Sequence, residues 1–236
     1  MTRPGEPVPV PALVASIAAG RPVRAVWVNE LGGITFEIDG GAEFVKVYPD
    51  VYAHLLAAEV PRLRWAGRYT PVPEVLASGS GWLHTARLTG RSAIDARWAD
   101  EPATAARAIG QGLRRLHAAL PVEDCPFGRP PWVPIDAPPA DRLVVCHGDA
   151  CAPNTLMADD GAFSGHVDLG DLGVADRWAD LAVATMSLDW NFPTEGPGGF
   201  QELLLEAYGV AADGERIGYY RRAWDAYDDG QDLPAG

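Results

Sequence analysis

Val144-Val145-Cys146-His147-Gly148-Asp149, followed by Asn154 and then by Val167-Asp168-Leu169-Gly170, sets one carboxylate, one carboxamide and a second carboxylate close together in the chain. Phosphoryl transfer to an alcohol asks a protein for that set. One group must orient the attacking hydroxyl, and hard oxygen ligands must hold the magnesium that neutralises the phosphate oxygens. Asp149 is expected to meet the hydroxyl as the catalytic acid/base, with Asn154 and Asp168 as the metal ligands.

The flanks suit that assignment. Leu143 to Cys146 is a short β-branched run able to deliver the loop, and Asn154 to Met157 reads as a strand leaving it. Asp159-Asp160-Gly161 is a turn signal, after which Phe163 to Val167 returns as a third strand ending at Asp168. Acid, Asn, hairpin, Asp is the order of a kinase catalytic loop followed by its metal-binding loop. Isolated acids of this kind more often only make turns, and an isolated histidine only packs; the joint pattern argues against that reading.

Composition bounds the remaining chemistry. With 236 residues, the chain is long enough for one large domain or two lobes sharing a cleft, and 47% hydrophobic with 22% charged residues describes a globular protein. No apolar run approaches the ~20 residues of a membrane span, and the proline-rich start from Met1 to Pro11 does not read as a signal peptide, so no membrane association and a cytoplasmic location are expected. Cys125, Cys146 and Cys151 make an odd count that argues against a disulfide scaffold, and Cys146-His147 with Cys151 lacks a fourth zinc ligand. The net charge of −13 disfavours a nucleic-acid partner and suits a cationic small-molecule substrate. Asp189 opens a stretch to the end of the chain holding ten Asp or Glu against three Arg. Such acids usually serve only as a solvated surface.

Eighteen of the nineteen basic residues are Arg; the single Lys is Lys46. In so arginine-biased a chain, a surviving lysine points to a position where a compact ammonium is required. Lys46 lies in the alternating run Glu43 to Val47 after the turn Asp39-Gly40-Gly41, where it is expected to reach ATP phosphates. Upstream, Trp27 to Ile38 reads as strand, turn, strand. Its Leu31-Gly32-Gly33 turn would bring backbone N–H groups close to phosphate. Downstream, Val51 to Trp65 has helical spacing and carries Glu59, the expected ion-pair partner of Lys46; Pro61 should kink or shorten this helix.

Trp82 to Leu88 reads as a last strand running into a hinge at about residues 84–90. An amphipathic helix is predicted from Ala103 to Leu120, with Pro102 at its start and Pro121 at its end, and His117 near its C-terminus is expected to pack or cap. Asp176 is expected to cap a helix carrying Asp180, itself placed to hydrogen-bond the catalytic loop from behind. Helices are predicted over Gln201 to Tyr208 and Glu215 to Tyr227, with a frayed end from Asp228 to Gly236.

Taken with Asn29-Glu30-Leu31-Gly32-Gly33, Asp124-Cys125-Pro126-Phe127 and Ala175-Asp176-Arg177-Trp178-Ala179-Asp180-Leu181-Ala182, these motifs make the chain resemble the aminoglycoside O-phosphotransferases, the kinase-like antibiotic-resistance family, and most of all the type that modifies the 3′-hydroxyl. The resemblance covers nearly the whole chain. It implies an α+β, two-lobed protein-kinase-like fold: residues 1–88 as a small antiparallel-sheet lobe that binds nucleotide, and residues 89–236 as a larger, mainly helical catalytic and substrate lobe. It implies ATP and Mg²⁺ as cofactors and phosphoryl transfer to an aminoglycoside by a monomer or weak homodimer. By resemblance, the backbone around Arg87 and Leu88 contacts adenine, and Asp225 and Tyr227 contact the drug. Carboxylates such as Asp171 and Asp189 join them as candidates for binding its ammonium groups.

The chain departs from the family's pattern in three places. Between Phe127 and Leu143 a short run with Pro130, Pro131, Pro134, Pro138 and Pro139 replaces a longer helical insert, so part of the drug pocket is expected to be missing. Asp171 stands where a basic residue is usual, and nine residues follow Tyr227. Two alternatives therefore accompany the aminoglycoside reading: a kinase of the same fold for another small hydroxyl compound, and a nucleotide-binding homologue with impaired transfer.

Overall fold

The computed structural model describes residues 8–192 and 199–231. The first seven residues of the proline-rich start and residues 232–236 of the end expected to fray lie outside the described residues; the chain from 228 to 231 instead continues a helix. The chain divides into two compact units, Met1–Arg68 with Val72–Leu88, and Tyr69–Pro71 with Thr89–Gly236.

In the first unit, α1 (Ala12–Ala18) precedes β1 (Val23–Val28), β2 (Ile34–Ile38) and β3 (Glu43–Val47); α2 (Ala53–Ala66), β4 (Val75–Gly79) and β5 (Trp82–Ala86) follow. The strands form one antiparallel sheet in the order β1-β2-β3-β5-β4. Asp39, Gly40 and Gly41 all take positive φ, which closes the β2–β3 turn as its sequence dictates. Helix α1 was not anticipated. Its Val14 and Ala18 are buried with Phe36, Ile38 and Val45, so packing on the sheet secures a helix too short to be stable alone.

Pro61 does not shorten α2, which runs unbroken from Ala53 to Ala66. Burial of Leu56, Glu59, Leu63, Trp65 and Ala66 outweighs the ~3 kcal/mol penalty of an interior proline. The Arg62 guanidinium also donates to the Ala58 carbonyl at 2.8 Å.

The second unit contains β6 (Arg91–Ser92), α3 (Pro102–Ala119), β7 (Leu143–Cys146), β8 (Thr155–Met157), β9 (Phe163–His166), β10 (Gly173–Asp176), α4 (Arg177–Asn191), α5 (Gln201–Tyr208) and α6 (Gly214–Gln231). β6-β8-β9 form one small sheet and β10-β7 another. In the latter, Gly173 to Asp176 pair antiparallel with Cys146 to Leu143, a strand that the sequence reading missed. Helix α3 buries Ile109, Leu113 and Leu116. At Gly110 an added Cβ would lie 2.2 Å from the Leu204 carbonyl oxygen, so only glycine allows this approach of α3 to α5. No helix among the described residues is long and apolar enough to cross a membrane.

Candidate active site

Strand β7 ends at Cys146 and delivers the loop from His147 into the interior. Asp180 on α4 is fully buried and meets that loop from behind. Its Oδ2 accepts the His147 N–H at 2.6 Å and its Oδ1 the Gly148 N–H at 3.0 Å. His117 Nε2 lies 2.9 Å from Oδ2, while His117 Nδ1 faces the Tyr208 hydroxyl at 2.8 Å, so the packed histidine of α3 joins the network. Burial by itself raises the Asp180 carboxyl. The hydrogen bond of His117, its charge and the Gly148 N–H outweigh it and hold the carboxyl below its ordinary value.

His147 also braces the second motif. Its Nε2 lies 3.0 Å from the Val167 carbonyl and its Nδ1 3.3 Å from the Asp149 N–H, a pair of partners that assigns the Nε2–H tautomer. Gly148 has φ +86°, and an added Cβ would lie 2.1 Å from the Asp171 carbonyl oxygen, so the two loops touch backbone to backbone.

Asp149 is half-buried. Its Oδ2 accepts the Asn154 carboxamide at 2.9 Å, and the same Nδ2 donates to the Asp149 carbonyl at 3.0 Å. Both bonds use nitrogen, so the ligating capacity of Asn154 rests in Oδ1. Asp168 holds φ +65°, an uncommon conformation for a residue with a side chain and one that clusters at functional sites. Burial pushes the Asp149 carboxyl up and the negative charge of Asp168 adds to this, against the opposing effects of His147, Cys151 and Asn154. The Val167 N–H donates to the Asn154 carbonyl at 3.0 Å, which brings the residue before Asp168 against the loop of Asp149 and Asn154; two carboxylates and a carboxamide oxygen would suit a divalent cation.

In the first unit Lys46 Nζ sits 3.0 Å from both carboxylate oxygens of buried Glu59. The glycine turn is tightly closed. Gly32 N–H donates to the Asn29 carbonyl at 3.2 Å and Gly33 N–H to Asn29 Oδ1 at 2.7 Å, while Asn29 Nδ2 donates to the Tyr48 hydroxyl at 2.6 Å. Leu31 is half-buried at the turn. Arg87 is exposed just past β5, its N–H bonded to the Ala42 carbonyl at 3.0 Å, and Leu88 ends the unit.

The candidate substrate residues are spread over the turn before β10, α4 and α6. Asp171 abuts Gly148. Asp189 lies near the end of α4, two residues past Ser187, whose Oγ accepts the Ala152 N–H of the loop after β7 at 2.9 Å. Asp225 and Tyr227 are on α6. Arg221, which sequence reading passed over, lies 3.9 Å from Asp189 and is bonded to Thr185 Oγ1 at 3.0 Å and Gln201 Oε1 at 3.1 Å. Burial lowers its guanidinium, and Asp189 and Asp225 act against that. Gln201 Nε2 takes Asp189 at 2.6 and 2.9 Å.

Cys146, His117 and Asp180 bring ligand atoms within 4.8 Å of one another. Burial pushes the Cys146 thiol well up, its Sγ donates to the Asp176 carbonyl at 3.5 Å, and Asp180 is taken up by protein donors, so the cluster is a hydrogen-bonded core. The proline-rich run proves ordered. Trp132 and Val133 are buried, and the Trp132 indole N–H donates to the Gly148 carbonyl at 2.5 Å. A lone tryptophan among prolines was the only sign of it in the sequence.

Comparison with known proteins shows what the chain is similar to. A family model described as "Phosphotransferase enzyme family" matches residues 14–136 and 132–224. Streptomycin 3''-kinase of Streptomyces griseus is 31% identical over 83% of this chain and 89% of its own, and an aminoglycoside 3'-phosphotransferase of Streptomyces fradiae is 31% identical over 84% and 92%. Among solved structures, aminoglycoside phosphotransferase APH(3'')-Id of Streptomyces rimosus matches with a TM-score of 0.71 at 26% identity, over 89% of this chain and 94% of that one. The same enzyme has been solved with ADP and streptomycin.

Proposed function

The chain belongs to the phosphotransferase enzyme family, and on that premise we propose that it moves the γ-phosphoryl group of ATP to a hydroxyl of an aminoglycoside, at the 3′ or 3'' position, and so confers resistance in the cytoplasm. The observation that carries this reading is the Asp149 carboxylate, held by Asn154 on a loop pinned by Asp180 and tied through the Asn154 carbonyl to the Val167 N–H that precedes Asp168. The similar enzymes named for streptomycin and for the aminoglycoside 3' position support the substrate class.

In this reading residues 1–88 bind nucleotide and residues 89–236 carry catalysis and substrate, in a monomer or weak homodimer. Lys46, braced by Glu59, contacts the phosphates; the Leu31-Gly32-Gly33 turn lies over them, and the backbone of Arg87 and Leu88 contacts adenine. Asn154 Oδ1 and Asp168 hold Mg²⁺, which when bound neutralises charge on the phosphate oxygens. Asp149 orients the acceptor hydroxyl and takes its proton as the new O–P bond forms and the terminal phosphoanhydride bond breaks to release ADP. Asp171, Asp189, Asp225 and Tyr227 receive the drug, with Arg221 limiting how many ammonium groups the acids can take.

Incubation with Mg-ATP and a panel of aminoglycosides, read by mass spectrometry, should show the gain of one phosphoryl group. No gain with any member would sink the reading, and a gain seen only with other small hydroxyl compounds assayed alongside the panel would move it to a different acceptor. Asp149→Ala should lower transfer by about 10²–10⁴-fold while leaving ATP binding intact. Unchanged turnover in that variant would remove Asp149 from its role.

A further inference from the structure

The peptide unit joining Gly148 to Asp149 is held at both of its polar atoms. Its N–H faces His147 Nδ1 at 3.3 Å, and its carbonyl accepts the Trp132 indole N–H at 2.5 Å. Gly148 supplies the freedom that makes such anchoring necessary, since with φ +86° and no side chain its flanking peptide can rotate where another residue's could not. Because a peptide is planar, fixing its oxygen fixes the direction in which the chain enters Asp149 Cα.

Trp132 is itself fixed. It is 3% exposed, and its ring meets Trp224 edge-on at 5.1 Å and Tyr220 at 6.3 Å, both on α6. The rest of its segment is tied down at each end. Gly128 accepts the Val174 N–H of β10 at 2.9 Å, Arg129 Nε donates to the Val133 carbonyl at 2.8 Å, and the Asp141 N–H reaches Asp176 Oδ2 at 3.2 Å. Prolines suit this use, since they lower the entropy that a segment without helix or strand loses on ordering.

We propose that Trp132 is a positioning residue for Asp149: its indole N–H, seated on α6, holds the 148–149 peptide in the orientation that presents the Asp149 carboxylate to the acceptor hydroxyl. The short proline-rich segment is then a structural part of the catalytic loop. The proposal rests on the transfer reaction above for its effect on rate, while its effect on the loop does not depend on that reaction.

Trp132→Phe keeps an aromatic ring against Tyr220 and Trp224 and removes the donor, leaving a buried carbonyl without its partner. Hydrogen–deuterium exchange of the segment from His147 to Asn154, measured without substrates, should quicken about tenfold with exchange in the first unit unchanged. In the active enzyme kcat should fall about tenfold with KM for ATP within twofold, because the nucleotide contacts assigned above lie on other residues. Unchanged loop exchange, or unchanged kcat in an active enzyme, overturns the proposal. So does faster exchange across the whole chain with kcat retained, which would mark Trp132 as packing alone. If Trp132→Phe does not fold, replacing Trp132 with its benzothiophene analogue, which keeps the ring's shape without the N–H, decides by the same readouts. If the unaltered protein transfers phosphate to no acceptor, the functional reading fails by itself and loop exchange alone decides on Trp132.

Discussion

Asp180→Asn tests whether a buried charge organises the catalytic loop. The substitution keeps size and shape but replaces one acceptor oxygen with a donor. In the native arrangement Oδ2 serves the His147 N–H and His117, and Oδ1 serves the Gly148 N–H. Whichever way the new carboxamide turns, its NH₂ points at a buried backbone N–H that then has no acceptor. Orphaning that donor costs about 1–3 kcal/mol, and the remaining bonds lose their charge assistance, about 1 kcal/mol more each. The expected loss of stability is therefore about 2–5 kcal/mol, or roughly 5–15 °C in Tm for a chain of this size. Calorimetry and urea unfolding measure it, and kcat at a temperature where the variant stays folded should drop at least about tenfold. The acid dependence carries a sign. The folded carboxyl lies below its ordinary value, so its contribution is complete above about pH 4 and is lost as pH falls through the folded value. The difference between the two proteins should thus narrow only in acid. A loss under about 1 kcal/mol with unchanged kcat would refute the reasoning, since it would mean that the loop holds its shape without the carboxylate.

Two further substitutions probe separate steps. Lys46→Arg should lower kcat/KM for ATP at least about tenfold while changing stability by less than about 1 kcal/mol, because on the proposed role the forked guanidinium cannot meet both Glu59 and a phosphate as the compact ammonium would; normal kinetics would make the single lysine a coincidence of composition. Gly148→Ala combines a positive φ with a Cβ 2.1 Å from the Asp171 backbone oxygen, so it should destabilise by about 3 kcal/mol or more and abolish turnover; an active variant of native stability would show that the two loops can separate freely.

What could be read from the sequence was what depends on near neighbours in the chain. The strands around the Asp39-Gly40-Gly41 and Asp159-Asp160-Gly161 turns, helix α3 between its prolines, and the Asp176 cap follow from local spacing and turn chemistry, and all are present. β10 was missed because Gly173 to Asp176 has no alternation and becomes a strand only by pairing with β7, distant in sequence. α1 was missed and α2 judged too fragile for one reason: packing on distant residues outweighed weak local preference.

The same division runs through the site. Residue types and order bring Asp149 and Asn154 into contact, but nothing in the order shows that the loop's carbonyl needs a tryptophan from the proline run, because a backbone acceptor leaves no trace in side-chain pattern. Net charge misleads in a related way. Ten late acids against three arginines suggest an open anionic surface, yet Asp189 is held by Gln201 and lies near Arg221, and Asp225 acts on the same guanidinium. A cationic substrate binding there would have to displace or share an existing partner. The field it meets is therefore set by how Thr185 and Gln201 hold Arg221, and less by the −13 summed over the chain.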